Sequence, residues 1–577
     1  MSGEARPAPG SALALGVLVT LVVLAPWPFG SVAPPALAVV TACALGGACF
    51  VLAVAAGRGG CVLPALPLWP LGAFVALSLA QLAPLDPRLH AWLAPGSCGV
   101  WHPADPAAAA VLGAGAHPVS VDPATTLRAA ALVAGLGLLA LAAAPALARP
   151  VPAKLSLGTL AAGGFVLATY AVWARARYGP LLFGRFEVPT VSPFGPFVNK
   201  NHFAGWGAMA ALLTAGLALG LAAEGRRRAG DWTSGRRAGG VVLALVSAVA
   251  IALAVVASQS RGGAAALAAG SLALVARALA RSSSAARRTL VPGLLVAAAL
   301  LVVPVALAPP AAQERLGSLA GADFRLATWR DTLRLAATSP VVGHGLGAFH
   351  DAFPPMKRAN GTLRVEHAEN EFLETLAETG AIGLGLALFG FFVLLRASGV
   401  AGETARLGRG VASGAAAALV ALAVHGALDF DLRIPADAAL AALAAAAAAA
   451  GAGVRLAPLG RFACAVLATG AAALLAGALL LPAPLATPAR DEARRAAAST
   501  NDAVRALRLA RAEALLVQSL RARPADAESW LFLAWVRAAR GDPSAAGLAR
   551  HAAALDPARP DLSGFAARLA SGPADSP

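Results

Sequence analysis

Apolar residues along this chain fall in blocks of roughly 17–23, the length at which a helix crosses a bilayer. Short polar stretches rich in Gly, Pro and Arg separate them. Blocks near 12–29, 35–55, 63–83, 128–147, 155–174, 203–223, 241–258, 262–280, 290–308, 377–396, 410–429, 434–454 and 462–482 predict thirteen spans, with 262–280 the least distinct as a separate crossing. The pattern predicts an all-α, polytopic helical membrane protein. A transmembrane domain is expected over 1–485, with a large outer loop at 309–376, and a small helical region over 490–570. The first block has no convincing small-residue cleavage site and is expected to be a retained helix.

Composition agrees: 58% of residues are hydrophobic, 13% are charged and mean hydropathy is +0.69, whereas soluble domains carry about 25% charged residues. Net charge is +16. Such a balance raises nucleic acid as a partner, but the Arg residues cluster in alternate short loops, where they set topology instead. Those loops hold Arg58; Arg149 and Lys154; Arg226, Arg227, Arg228, Arg236 and Arg237; Arg281, Arg287 and Arg288; Arg396, Arg406 and Arg409; Arg455 and Arg461. Assigning them to the cytoplasm puts the N-terminus inside. The loops at 84–127, 175–202 and 309–376, and everything after 482, are then outside. The cysteines form no C-x-x-C pair, so no zinc site and no essential disulfide are expected. In the tail, Trp530, Leu533, Ala534, Gly541, Ala546, Ala553 and Pro557 loosely resemble one tetratricopeptide repeat, and a generic helical hairpin reads equally well.

Polar residues gather at the mouths of particular spans, where they are costly unless they serve a site. Asn199, Lys200, Asn201 and His202 open the sixth span. Amides suit sugar hydroxyls or phosphate oxygens, and Lys200 adds charge, although one such residue would suffice as a helix cap. Arg185 lies upstream in the same loop, as extra charge or as a solvated loop residue. Ser258-Gln259-Ser260-Arg261 follows the seventh span, and the Arg261 guanidinium there suits a pyrophosphate or a snorkelling anchor. Arg325 and Trp329 are four apart, one face of a helix, next to Arg330. That helix either serves a site or rests on the membrane surface. The Gly-rich run 340–349 lacks G-K-[ST], so no nucleotide site is expected. His367 is a candidate general base, with Asn370, Glu371, Glu374 and Glu378 spaced to share a helical face with it. Asp429-Phe430-Asp431 is a short D-x-D string, read as Asp pairing with Arg433 in preference to a metal site.

Taken together, the strings at 199–203, 258–261, 325–329 and 367–380 resemble those of the O-antigen ligase and polymerase-like superfamily of bacterial membrane glycosyltransferases, over roughly residues 180–435. The resemblance implies transfer of a glycan from an undecaprenyl-pyrophosphate donor to an acceptor hydroxyl at the periplasmic face of the inner membrane. The acceptor is a lipid, a glycan or a protein. His367, Arg261 and Arg325 would carry the chemistry, and Asn199, Lys200, Asn201, His202, Arg185, Trp329, Arg330 and Asn370 would hold substrate. No cofactor, metal or nucleic acid is implied. Ligase, chain polymerase and protein O-oligosaccharyltransferase all remain open. So does a transporter or lipid flippase, which would place its ionisable groups nearer the bilayer midplane, and a membrane-anchored scaffold presenting a helical repeat.

Overall fold

A computed structural model describes residues 10–188, 192–225, 235–280, 322–358, 361–399, 406–450, 456–482 and 484–571. Up to the first polar loop the helices are α1 (Ser11–Leu24), α2 (Pro34–Gly57) and α3 (Ala65–Ala80). Short helices α4 (Pro87–Leu93), α5 (Pro95–Trp101) and α6 (Pro106–Leu112) follow. Then come α7 (Pro123–Leu147), α8 (Pro150–Tyr178), α9 (Lys200–Gly225), α10 (Gly235–Ala257) and α11 (Arg261–Ala280). The next segment holds α12 (Ala322–Thr338), α13 (Phe349–Ala352), α14 (Glu371–Gly399), α15 (Arg406–Gly426), α16 (Pro435–Ala449) and α17 (Arg461–Leu480). The tail adds α18 (Ala486–Ala497), α19 (Asp502–Ala522), α20 (Ala527–Ala539), α21 (Ala545–Leu555) and α22 (Pro560–Ser571).

Nine of the described helices are long and apolar enough to span a membrane, and α1, α3 and α16 are shorter apolar helices. The chain is an all-α, multi-pass membrane protein. Each predicted span among the described residues has its helix; the block at 290–308 lies outside them. Two ends are corrected. The first span stops at Leu24, because Pro26 and Pro28 follow and proline has no N–H to continue the helical hydrogen-bond ladder. The third is preceded by a strand the apolar pattern hid: β1 (Gly60–Pro64) pairs antiparallel with β4 (Leu456–Gly460), while β2 (Pro84–Leu85) pairs with β3 (His117–Pro118).

The chain divides into two compact units. The first holds Met1–Ala73, Ala131–Ala320 and Ala387–Ala476, and the second Phe74–Ala130, Gly321–Leu386 and Gly477–Pro577. In the first, α9 crosses α15 with almost no side chain between them. A Cβ on Gly216 would lie 2.6 Å from the Cα of Gly414, and one on Gly410 would lie 2.4 Å from the backbone nitrogen of Gly220. Small residues four apart let two backbones meet in this way, and in lipid such contact is the main attraction between helices. The crossing fixes the polar N-terminus of α9 relative to the C-terminus of α15. Ala-rich faces fill the interior around Trp206, Leu18, Leu139 and Leu157. Val242, Leu243, Leu272, Phe392 and Phe462 stay exposed, as lipid-facing side chains do.

The second unit has its own two cores. One packs Ala108, Val111 and Leu112 of α6 with Leu516, Trp530, Leu533 and Leu548 of the tail helices. The other joins Val121, Leu335, Phe349, Phe353, Ala368 and Ala377. Arg523 anchors the tail, reaching Asp351 at 2.8 Å and Asp122 at 3.4 Å. Burial pushes the Asp351 carboxyl above its ordinary range, and the carboxylates of Asp351 and Asp122 hold the Arg523 guanidinium firmly charged against its own burial.

Candidate active site

In the first unit the polar lips of three helices converge. Asn199 caps α9, its Oδ1 accepting from the Asn201 backbone N–H at 3.0 Å. Asn201 in turn accepts from Ser260 Oγ at 2.9 Å, which ties α9 to the start of α11. Ser260 also accepts from the Gly263 N–H at 3.2 Å, capping α11. The turn depends on Gln259 at φ 57°. Arg261 opens α11 and is exposed. Lys200 is half-buried, and Arg185 is exposed with its guanidinium 5.6 Å from the Phe186 ring centre.

Beneath these residues lies a buried cluster of acids and histidines. His425 Nδ1 is 2.7 Å from an Asp431 carboxylate oxygen, and His202 Nε2 is 3.4 Å from Asp429. The two aspartates face histidines, partners that the Arg-pairing reading of the D-x-D string did not name. Two glycines make room: a Cβ on Gly205 would lie 2.5 Å from Asp431 Oδ1, and one on Gly262 would lie 3.3 Å from the His425 ring. Gly262 directly follows Arg261, so the Ser-x-Ser-Arg string packs against His425. Asp437 is also buried, with no hydrogen-bond partner for either oxygen among the described residues.

The second unit carries the remaining strings. Arg325 and Trp329 do share a face of α12, and both grip Glu369. Arg325 Nη2 lies 3.3 Å from Glu369 Oε2, and Trp329 Nε1 donates to the Glu369 carbonyl at 3.3 Å. Arg330, next in the chain, is exposed. Glu369 holds φ 55°, an uncommon conformation for a non-glycine residue. That kink corrects the expectation for His367. It does not share a helical face with Glu374, because α14 begins only at Glu371. Asn370 caps the helix, accepting from the Phe372 and Leu373 N–H groups, each at 3.0 Å. The chain folds back before the cap, and His367 Nδ1 meets Glu374 Oε1 at 2.8 Å. Glu374 is 1% exposed, His367 33%. The other Glu374 oxygen accepts from the Ala368 N–H at 2.8 Å, so the carboxylate is locked. A carboxylate on Nδ1 fixes the tautomer in which Nε2 carries the lone pair, the form a general base needs.

The Gly-rich run packs on the break in α14. A Cβ on Gly343 would lie 2.3 Å from the Glu378 carbonyl, and one on Gly380, itself at φ 65°, would lie 2.2 Å from the Val341 oxygen. Both positions therefore require glycine. Gln81, which the sequence did not single out, donates to the carbonyls of Val342 and Glu378 at 2.7 and 2.8 Å. His344 is buried there between Thr338 and the Ala377 carbonyl, and burial lowers it to about 4, so it stays neutral and holds the turn. Of the groups gripping this stretch, Glu369 was also missed, although it sits two residues from His367 in the same polar string.

Residues 246–388 match a family model described as O-antigen ligase. The matched stretch contains the Ser258–Arg261 turn, Arg325, Trp329, His367, Asn370 and Glu374; it excludes Asn199–His202 and His425–Asp431. No curated protein matches the chain.

Proposed function

Starting from an O-antigen ligase-like membrane glycosyltransferase domain at residues 246–388, we propose that this protein moves a glycan from an undecaprenyl-pyrophosphate donor to an acceptor hydroxyl at the periplasmic face of a bacterial inner membrane. The observation that carries the reading is the His367–Glu374 pair, a half-exposed imidazole oriented by a buried carboxylate. His367 Nε2 takes the proton of the acceptor hydroxyl while its oxygen attacks the anomeric carbon. The bond from that carbon to the pyrophosphate oxygen breaks, and the lipid pyrophosphate leaves with the electron pair. Its charge grows in the transition state, which fixed cations stabilise. Arg325 and Arg261 are the residues we assign to that charge, with Lys200, Asn199, Asn201 and His202 assigned to the donor. The chemistry draws on no nucleotide and no metal. N-terminus in the cytoplasm and tail in the periplasm follow from the Arg-rich loops; a reporter fused near residue 490 and active only in the cytoplasm refutes this orientation.

A transporter of the same lipid-linked glycan is the rival of another class. Purified protein given donor and acceptor separates the two. The transferase forms glycan-bearing acceptor and releases lipid pyrophosphate, whereas a transporter leaves the donor intact. Whether the acceptor is a lipid, a growing glycan or a protein is read from which of the three becomes labelled. We assign the tail to acceptor or partner binding; a stably inserted truncation near 490 that is wholly inactive on a simple acceptor contradicts that role.

A further inference from the structure

The first polar loop of the second unit carries a constellation that the transfer reaction does not use. His90 lies in the last turn of α4, Cys98 lies in α5 and His102 follows α5 directly. One donor atom from each falls within 4.8 Å of the other two. His90 is fully buried, and its Nδ1 has no hydrogen-bond partner among the described residues; nor does His102 Nε2. Buried imidazole nitrogens without partners are costly.

The arrangement around His90 settles its tautomer. Ser97 donates its hydroxyl to the Val119 carbonyl, so at 3.1 Å its oxygen accepts from His90 Nε2–H. Nδ1 is then left with a buried lone pair and is the ring nitrogen open to an ion. An outer hydrogen bond that orients a ligating imidazole is a regular part of metal sites. Burial first, then the neighbouring charges of His102 and His117, lower His90 to about 4 and keep it neutral.

We propose that His90 Nδ1, Cys98 Sγ and His102 Nε2 bind a divalent zinc-type ion, with the fourth position left to water. Two imidazoles and one thiolate are a borderline-soft donor set that suits zinc. Tetrahedral zinc needs donors about 3.3–3.6 Å apart, given Zn–N near 2.0 Å and Zn–S near 2.3 Å, so binding closes the group by at most about 1.5 Å. The thiol gives up its proton to solvent as the metal–sulfur bond forms. The ion would staple α4 to α5 and to the turn that follows it, and so order the loop. No C-x-x-C string marks these ligands, which are spaced H-x7-C-x3-H across two short helices and the residue after them. Among the described residues, the other group of three metal-competent side chains, Asp122, His350 and Asp351, already surrounds the Arg523 guanidinium.

The test uses full-length protein in detergent, stripped with chelator and titrated with cobalt and zinc. Cobalt should give a thiolate-to-metal charge-transfer band that zinc abolishes and that Cys98→Ser lacks. Ser97→Ala should weaken binding about 10–100-fold. On unmodified protein, zinc should slow alkylation of Cys98, read residue by residue by mass spectrometry, and leave that of exposed Cys43 unchanged. No cobalt band, a band that survives Cys98→Ser, or equal alkylation of Cys98 with and without zinc overturns the proposal. None of these readouts depends on glycan transfer.

Discussion

Glu374→Gln probes the base assignment most finely, because it keeps the shape and removes only the charge. In the native pair the carboxylate accepts from His367 Nδ1 at 2.8 Å and from the Ala368 N–H at 2.8 Å. A glutamine has one acceptor oxygen for these two donors. If that oxygen stays on Ala368, the amide N–H₂ faces Nδ1, which must then accept. The proton moves to Nε2 and the base is disabled. A hydrogen bond to a charged group contributes about 1.5–3 kcal/mol, or roughly 10–150-fold in rate. Loss of general-base help costs about 10²–10⁴-fold. Glu374→Gln should therefore lower kcat by about 10²-fold, with KM for the donor nearly unchanged. His367→Ala should lower kcat at least as far. The double variant should be no slower than His367→Ala alone, since Glu374 acts through the imidazole. The assay is initial-rate transfer by protein matched for membrane insertion. A Glu374→Gln variant with near-native kcat, or a double variant slowed by the product of the two single effects, refutes the assignment.

Arg261→Lys should cut transfer at least tenfold, because a point charge does not reproduce a two-pronged grip on pyrophosphate; native turnover by the lysine variant counts against a leaving-group role. Arg523→Ala leaves the Asp351 carboxylate buried without its cation, and should destabilise tail docking by about 2–4 kcal/mol, a little under the fully buried case because Arg523 is 25% exposed. Hydrogen exchange in α19 and α20 reads this, and unchanged protection contradicts it. His90, His344 and His551 are all lowered by burial from 6.5 to about 4. The unfolded chain thus takes protons first as pH falls, so the stability of this unit should decline between about pH 6.5 and 4 and level off below. Trp530, whose ring sits 4.8 Å from that of His551, reports unfolding by fluorescence; a flat or rising denaturation midpoint over that window shows the sign to be wrong.

Much of the fold was legible because apolar blocks of bilayer length have few alternatives to a helix. Where prolines punctuate a block, as at Pro26 and Pro28, the helix is shorter than the block. The glycines at 216, 220, 410 and 414 carry the small-residue spacing of helix contacts, yet nothing in the spacing says which helix meets which. The site strings were legible as unusual polarity at span ends. Their partnerships were not. His367 meets Glu374 only because Glu369 adopts a left-handed conformation, which no local rule assigns to a glutamate. Asp431 meets His425 across a short turn, and Glu369 lies far in sequence from Arg325 and Trp329. Pairings of this kind come from tertiary packing, which a single sequence does not encode in readable form.

The proposed activity breaks the bond between glycan and lipid pyrophosphate. Its most direct test is a reconstituted turnover with purified protein, a defined undecaprenyl-pyrophosphate-linked glycan and a hydroxyl-bearing acceptor, following both products together. Glycosylated acceptor and free lipid pyrophosphate are expected in equal amounts, both abolished in His367→Ala protein that inserts normally. Donor recovered intact by native protein, or equal product formation by the His367→Ala variant, contradicts it.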